Sequence, residues 1–375
     1  MRRNVKGGLC AVVLVMALAA CGGAEPGGPA GTAPAGTPGA GPSVTGTSEP
    51  GGAPDLGAVE EVSRDIKAPW GLAFLPSGDA LVAERDSGKV VQVPAGGGAA
   101  REVYRVPGVH AEGEGGLLGL AVSPSYAADG YVYAYLTTES DNRIVRFRLD
   151  DRTPQVVFDG IASASFHDGG RIAFGPDGML YAGTGDAGES SSAQDPASPN
   201  GKILRLTPEG EPAPGNPTPG SPMYSLGHRN VQGLAWDGQG RLFATEFGQD
   251  TYDEVNLIEP GRNYGWPEVE GKGDTDGGRF TDPLVTWSTA EASPSGAAIA
   301  GNTLYVAALR GERLWTVPLD DGGTGAPRAE LEGRYGRLRT VAVAPDGALW
   351  VTTSNTDGRG EVREGDDRIL RYPAR

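Results

Sequence analysis

One phrase recurs six times along this chain: an apolar strand pattern, a turn of Gly, Pro or Asp, and a second apolar strand pattern. The copies begin GLAFLPSGDALVAER at Gly71, GLAVSPSYAADGYVYAYLT at Gly119, RIAFGPDGMLYAGTGD at Arg171, GLAWDGQGRLFATEFG at Gly233, GAAIAGNTLYVAALRG at Gly296 and TVAVAPDGALWVTTSN at Thr340, at intervals of 48, 52, 62, 63 and 44 residues. A third strand with alternating charge follows in KVVQV from Lys89, RIVRFRL from Arg143, KILRL from Lys202, RLWTVPL from Arg313 and RILRY from Arg368. Units of this period, each a small twisted antiparallel sheet, are what a β-propeller stacks around an axis, so the chain is expected to be all-β, a six-bladed β-propeller of four-stranded antiparallel blades. A β-sandwich would not repeat one phrase with its turn in the same place, and Gly and Pro punctuate too often for long helices. Closing the ring needs a strand from one terminus in the blade of the other, which predicts that Val59 to Ile66 pairs beside the last repeat.

Ahead of the repeats the composition changes twice. Residues 1–20 read as a removable export signal, with Arg2, Arg3 and Lys6 before an apolar run from Leu9 to Ala20. Its end, Leu18-Ala19-Ala20-Cys21, resembles the bacterial lipoprotein signal. That resemblance implies lipid on Cys21 and an exported protein anchored to the outer face of the cell membrane, the membrane being met only through that lipid. The alternative is an ordinary secretory signal with an incidental cysteine. Cys10 would leave with the signal, so no disulfide is expected. Residues 21–55 are almost all Gly, Pro, Ala, Thr and Ser and read as a flexible tether, which leaves 56–375 as the propeller domain. The formal charge is −16, and losing the three cations of the signal takes it to −19. Such an excess of carboxylates argues against nucleic acid as a partner and makes any cluster of arginines unusual.

The third repeat is the most informative. His167, one of three histidines, stands just before its first strand, and Asp186 ends its second. The Pro176-Asp177-Gly178 turn between them reverses the chain, so His167 and Asp186 should face each other across one rim of a sheet. A histidine oriented by a carboxylate is how a general base is built. Extra loop material at 186–202, 207–224 and 248–283 should gather on one face and build the site around them.

Four further stretches are too particular to be blade filler. HAEGEGGLLGL from His110 carries Glu112 and Glu114 on a glycine-rich approach, without the Gly-Lys-Ser/Thr ending of a phosphate loop. SLGHRNVQGL from Ser225 places His228, Arg229 and Asn230 directly before a strand. The stretch Thr245 to Asp274 concentrates Glu246, Asp250, Asp253, Glu254 and Asp274 among glycines, the all-oxygen environment calcium prefers, although acidic loops are common in so acidic a chain. RYGRLRTVAVAPDG from Arg334 sets Arg337 and Arg339 two apart on a strand, so both guanidiniums should point together towards an anion.

In order and as a set, GRIAFGPDG, LGHRNVQGLA, DEVNLIEPGRNYGWP and RLRTVAVAPDG resemble the soluble quinoprotein sugar dehydrogenases, six-bladed propellers that bind pyrroloquinoline quinone (PQQ) and oxidise aldoses; the resemblance covers about Pro69 to Ile369. It implies that His167 is the catalytic base, Asp186 its orienting carboxylate, and Arg229 and Asn230 contacts of the quinone, with Arg337 and Arg339 holding the quinone's carboxylates. It further implies that main-chain carbonyls of Gly248 and Gln249 bind a calcium that also grips the quinone, and that Glu254, Tyr264 and Asp274 form a second, structural calcium site. Three positions depart from the family pattern: Glu114 stands near the cofactor where glutamine is known, Arg310 where lysine is usual, and Gln249 where proline is found. A carboxylate at Glu114 would repel a tricarboxylic quinone unless protonated or paired.

The activity so implied is PQQ- and calcium-dependent oxidation of the anomeric hydroxyl of an aldose to a lactone by hydride transfer, with the electrons passed to an external acceptor. No Gly-x-Gly-x-x-Gly opens a helix, so a nicotinamide enzyme is not indicated. Sugar specificity is expected in the loops 187–200 and 291–295. Two other readings stay open, because fold alone does not choose between them: a calcium-dependent lactonase-type hydrolase with an axial metal, and a non-catalytic cell-surface binding propeller.

Overall fold

The computed structural model describes residues 52–375, so the export signal and all but the last four residues of the tether lie outside the described residues. Among the described residues, six separate four-stranded antiparallel sheets are present, the blades of a propeller. Their inner strands are Pro69–Phe74, Leu117–Val122, Ile172–Phe174, Val231–Trp236, Pro294–Ala300 and Leu338–Val343, here taken as blades 1 to 6. The ring closes as expected: Glu60–Ser63 pairs antiparallel with Ile369–Tyr372, Glu60 opposite Arg371, as the fourth strand of blade 6. Pro54 also bridges Ala374, so the folded part begins slightly before residue 56.

The sheets are apolar on both faces, and six buried apolar clusters each span a pair of neighbouring blades. Leu81 and Val90 of blade 1, for example, pack with Leu120, Val132 and Phe147 of blade 2. A blade that exposes both faces to water cannot stand alone, so stability comes from stacking round the ring. Three of the fourth strands are the exception. Arg101–Arg105, Gln155–Ile161 and Arg328–Glu330 form the exposed rim, mostly in water.

The repeated glycine follows from crowding at the axis. A Cβ on Gly71 would lie 2.5 Å from the Leu118 carbonyl of the next blade, and one on Gly233 would lie 2.5 Å from the Ser295 carbonyl. The residue two beyond, as in Ala73, Ala121, Ala173, Ala235, Ala298 and Ala342, is always alanine, and it faces a large side chain on the second strand, as Ala121 faces Tyr133. Two blades depart from the pattern: blade 6 has Thr340 at the glycine position and blade 3 has Arg171. Its fully buried guanidinium donates to the Gln232 carbonyl at 2.7 Å and to Thr340 Oγ1 at 3.1 Å, and stacks over Trp70 at 4.3 Å. It plugs the axis. One side opens into a cavity lined by Trp70, Gln232 and Arg339, the other into an apolar funnel lined by all six inner strands.

Because strands alternate in direction, connections after the second and fourth strands share one end of the propeller and those after the first and third share the other. The segment 187–201 therefore sits at the His167 end. The segment 207–222, expected there, follows a third strand and sits at the opposite end. The long segment 259–284 also starts at the opposite end, but climbs beside blade 3, where Asn263 bridges Leu226 in parallel, and so delivers Trp266 to the site.

Closure by the first strand predicts a sharp difference between two truncations. A chain starting at residue 52 should unfold cooperatively on heating, followed by circular dichroism. A chain starting at residue 67 leaves Ile369–Tyr372 as an unpaired edge and should lose that cooperative transition.

Candidate active site

His167 lies on the connection from Gln155–Ile161 to the inner strand of blade 3, and Asp186 on the connection after Leu180–Gly183, at the same end of the ring. Their side chains meet: His167 Nδ1 is 2.7 Å from Asp186 Oδ1. With Nδ1–H donated to the carboxylate, the imidazole presents the lone pair of Nε2. Asp186 is buried and takes two more hydrogen bonds, from Gly188 N and Trp266 Nε1, both at 2.8 Å. Burial would raise its pKa, but the hydrogen bonds from His167, Gly188 and Trp266 together hold it below the usual carboxylate value. The loop is held tightly. His167 has a positive φ of 61°, its N–H is donated to Glu114 Oε2 at 3.0 Å, and a Cβ on Gly185 would fall 1.7 Å from its carbonyl oxygen.

Beside this pair is the axial cavity of about 260 Å³, whose lining carries Arg85, Arg310, Arg337, Arg339 and Arg359 against two carboxylates, Glu114 and Asp357. Arg337 and Arg339 do point together, and the anion they reach is Asp357, at 3.0 and 3.3 Å. Burial works against Asp357, but the two arginines keep its pKa depressed. Burial brings Arg339 down to about 10, which leaves it charged at neutral pH. Arg310 is exposed and has no carboxylate partner among the described residues. Asn230 is fully buried, accepts from Gly169 N at 2.9 Å and reaches Glu114 at 3.5 Å. Arg229 donates to the Phe247 carbonyl at 3.2 Å and lies over Trp266 at 5.4 Å, while its Nε is buried without a partner. The whole is a carboxylate-oriented imidazole beside a pocket with surplus positive charge.

The sequence model of the family described as glucose/sorbosone dehydrogenase matches residues 66–369, nearly the whole ring. The chain belongs to that family. Among solved structures it is similar to the PQQ-bound form of aldose sugar dehydrogenase from Streptomyces coelicolor, with 57% identity and a TM-score of 0.81 over 86% of this chain and 100% of that one. Quinoprotein glucose dehydrogenase B of Acinetobacter calcoaceticus is 31% identical over 67% of this chain and 60% of its own length. Aldose sugar dehydrogenase YliI of Escherichia coli is 29% identical over 82% of this chain and 92% of its own.

Within this family frame, the positions expected to bind calcium separate into two groups. At Gly248 and Gln249 the loop N–H groups turn inward: Gly248 N donates to Asp253 at 2.9 Å, and Gln249, Asp250, Thr251 and Tyr252 all donate to one oxygen of Glu270, at 2.7 to 3.1 Å. A Cβ at Gly248 would strike the Tyr252 carbonyl at 1.8 Å. Neither the Gly248 nor the Gln249 carbonyl accepts a hydrogen bond among the described residues, which fits ligation by main-chain oxygen. Glu254, Tyr264 and Asp274 make no hydrogen bond to one another among the described residues. Glu254 is buried on Asn256 Nδ2 and Gly271 N, the Tyr264 hydroxyl donates to the Leu257 carbonyl at 2.6 Å, and Asp274 is exposed. Burial pushes Glu254 up to about 8. Among the described residues, no cluster of three or more His, Cys, Asp or Glu side chains could hold a metal.

Three neighbours of the site escape sequence reasoning. Trp266, Asp357 and Arg359 reach the site from distant loops. His228 is fully buried between Ser225 Oγ at 2.8 Å and Glu246 Oε1 at 2.9 Å, and the other oxygen of Glu246 accepts the Arg229 N–H at 2.8 Å. That network holds Arg229 in place.

Asp168, next to His167, gives a pH test. Asn142 and Ala164 donate to its Oδ1, its Oδ2 is buried without a partner, and burial raises its pKa to about 6. A raised carboxylate lends stability below its unfolded value near 4, and that stability is lost as pH rises towards 6. Asp168→Asn should therefore remove a stability loss of about 2–3 kcal/mol between pH 4 and pH 7, read by urea unfolding at a series of pH values.

Proposed function

We propose that this sugar dehydrogenase oxidises the anomeric hydroxyl of an aldose to a lactone, using PQQ and calcium, and passes the electrons to an external acceptor. The observation that carries the reading is the oriented His167–Asp186 pair opening beside an arginine-rich cavity, in a family with a PQQ-bound member 57% identical to this chain. The residues fit a tricarboxylic quinone: five guanidiniums face two carboxylates, and Arg229 Nε has no other taker. Arg337, Arg339 and Arg310 would hold its carboxylates, with Arg229 and Asn230 at the reacting side and the Gly248 and Gln249 carbonyls on calcium. When bound, the quinone supplies the hydride acceptor and calcium a Lewis acid that polarises it.

The protein's own part is proton transfer and orientation. His167 Nε2 takes the proton of the anomeric hydroxyl, and Asp186 fixes the tautomer and stabilises the imidazolium. Trp266 and Gly188 keep Asp186 ionised for that task. Arg229 offers its guanidinium to negative charge that develops during transfer. Phe166, 44% exposed, stands edge-on to the His167 ring at 4.7 Å and gives the C–H face of a sugar an apolar wall.

A lactonase-type hydrolase is less well supported, since the axis where its metal would sit holds the Arg171 cation, and the Ser225–His228–Glu246 triad is sealed from any substrate. A binding-only propeller would not need a base with three donors on its carboxylate. We also propose that lipid on Cys21 tethers the domain to the outer face of the membrane.

The deciding experiment reconstitutes the purified chain with PQQ and calcium and follows dye reduction with a panel of aldoses. His167→Ala should lower kcat by about 10²–10⁴-fold with quinone affinity unchanged; a variant as active as the wild type would sink the assignment. Phe166→Ala should raise KM about five-fold with a smaller change in kcat, seen in steady-state kinetics.

A further inference from the structure

The carboxylate of Glu114 lies inside a pocket fitted for a polyanion, where it ought to be harmful. Its surroundings show why it is tolerated and what it does. One oxygen, Oε2, accepts the His167 N–H at 3.0 Å and is 3.5 Å from Asn230 Nδ2. The other, Oε1, accepts from Arg359 Nη1 at 3.0 Å. The Glu114 side chain is 16% exposed and that of Arg359 57%, and they come from blades on either side of blade 1, 245 residues apart in sequence. Both line the axial cavity.

We propose that Glu114 is a positioning residue for the base and that Arg359 is its charge partner, which makes a carboxylate compatible with a polyanionic cofactor. His167 adopts φ 61°, a conformation a non-glycine residue holds only when its surroundings over-determine it. The acceptor on its N–H is one of those constraints, and Glu114 supplies it from the neighbouring blade connection. An amide oxygen could accept the same hydrogen bond without bringing charge. The carboxylate therefore requires a cation, and among the described residues Arg359 is the one that contacts it. Arg337 and Arg339 lie against Asp357 and form no ion pair with Glu114 among the described residues. Removing Arg359 alone leaves an unpaired anion against the carboxylates of the cofactor. Removing the charge of Glu114 as well should abolish that repulsion.

The inference rests on the reading of the pocket as a PQQ site, and its test is a double-mutant cycle on the purified chain. PQQ affinity is measured by absorbance titration in calcium, alongside kcat and KM, with thermal melts to verify folding of each variant. Arg359→Ala should weaken quinone binding about 10-fold or more, whereas Glu114→Gln/Arg359→Ala should bind within about 3-fold of Glu114→Gln. Glu114→Ala should lower kcat and alter its pH profile, and Glu114→Gln should restore both. If Arg359→Ala weakens binding equally with Glu and with Gln at position 114, Arg359 contacts the cofactor directly and the compensation is overturned. If Glu114→Ala and Glu114→Gln behave alike in kcat and pH profile, the positioning role is overturned. A wild-type chain that binds no quinone would overturn the reading of the pocket itself, and the proposal with it, which is distinct from a flat cycle on a chain that does bind.

Discussion

The structure depends on how six strands share one axis. Glycines such as Gly71 and Gly233 let neighbouring inner strands approach to distances a Cβ would forbid, and an alanine two residues on keeps the next layer narrow. What space remains is filled by Arg171, a buried cation satisfied by a carbonyl, a hydroxyl and the face of Trp70 rather than by a carboxylate. Burial and nearby Arg339 lower its pKa to about 9, so it remains charged at neutral pH. The plug closes the axis and lines the apolar funnel, with Trp70 and Gln232, which it contacts, lining the arginine-rich cavity on the other side.

That cavity reverses the character of the chain around it. A protein of −16 overall gathers five arginines at one point, and each acid admitted there has an assigned counter-charge or donor. Asp357 is held by Arg337 and Arg339, Glu114 by Arg359, and Asp186 by His167, Gly188 and Trp266. Carboxylates removed from water need such partners to stay ionised. The result is an oriented imidazole next to a cavity rich in positive charge, the arrangement on which the proposed sugar oxidation rests.

The fold was largely legible because a propeller repeats its own constraint. Turn, strand period and axial glycine recur at the same offsets, and the missing partner of RILRY called for a strand from the other terminus. The outer strands were harder to read: Arg101–Arg105 and Arg328–Glu330 lie mostly in water, so they carry no apolar alternation. The site was legible where one hairpin made it. His167 and Asp186 flank one turn, and strand direction alone puts them at one rim. Arg337 and Arg339 could be paired from period two, but the carboxylate between them could not, since Asp357 stands on another connection. Trp266 was hidden because its segment leaves one end of the propeller and climbs to the other along blade 3.

The sequence by itself determined the number of blades, the closure of the ring and the meeting of His167 with Asp186, because each follows from local periodicity and the reversal of a hairpin. Only the tertiary structure decided which charges face each other. Glu114 meets Arg359, and Asp186 meets Trp266, across 245 and 80 residues of chain. No local pattern encodes those meetings: they arise from the order in which the blades are stacked and the paths by which their connections return to one end of the axis.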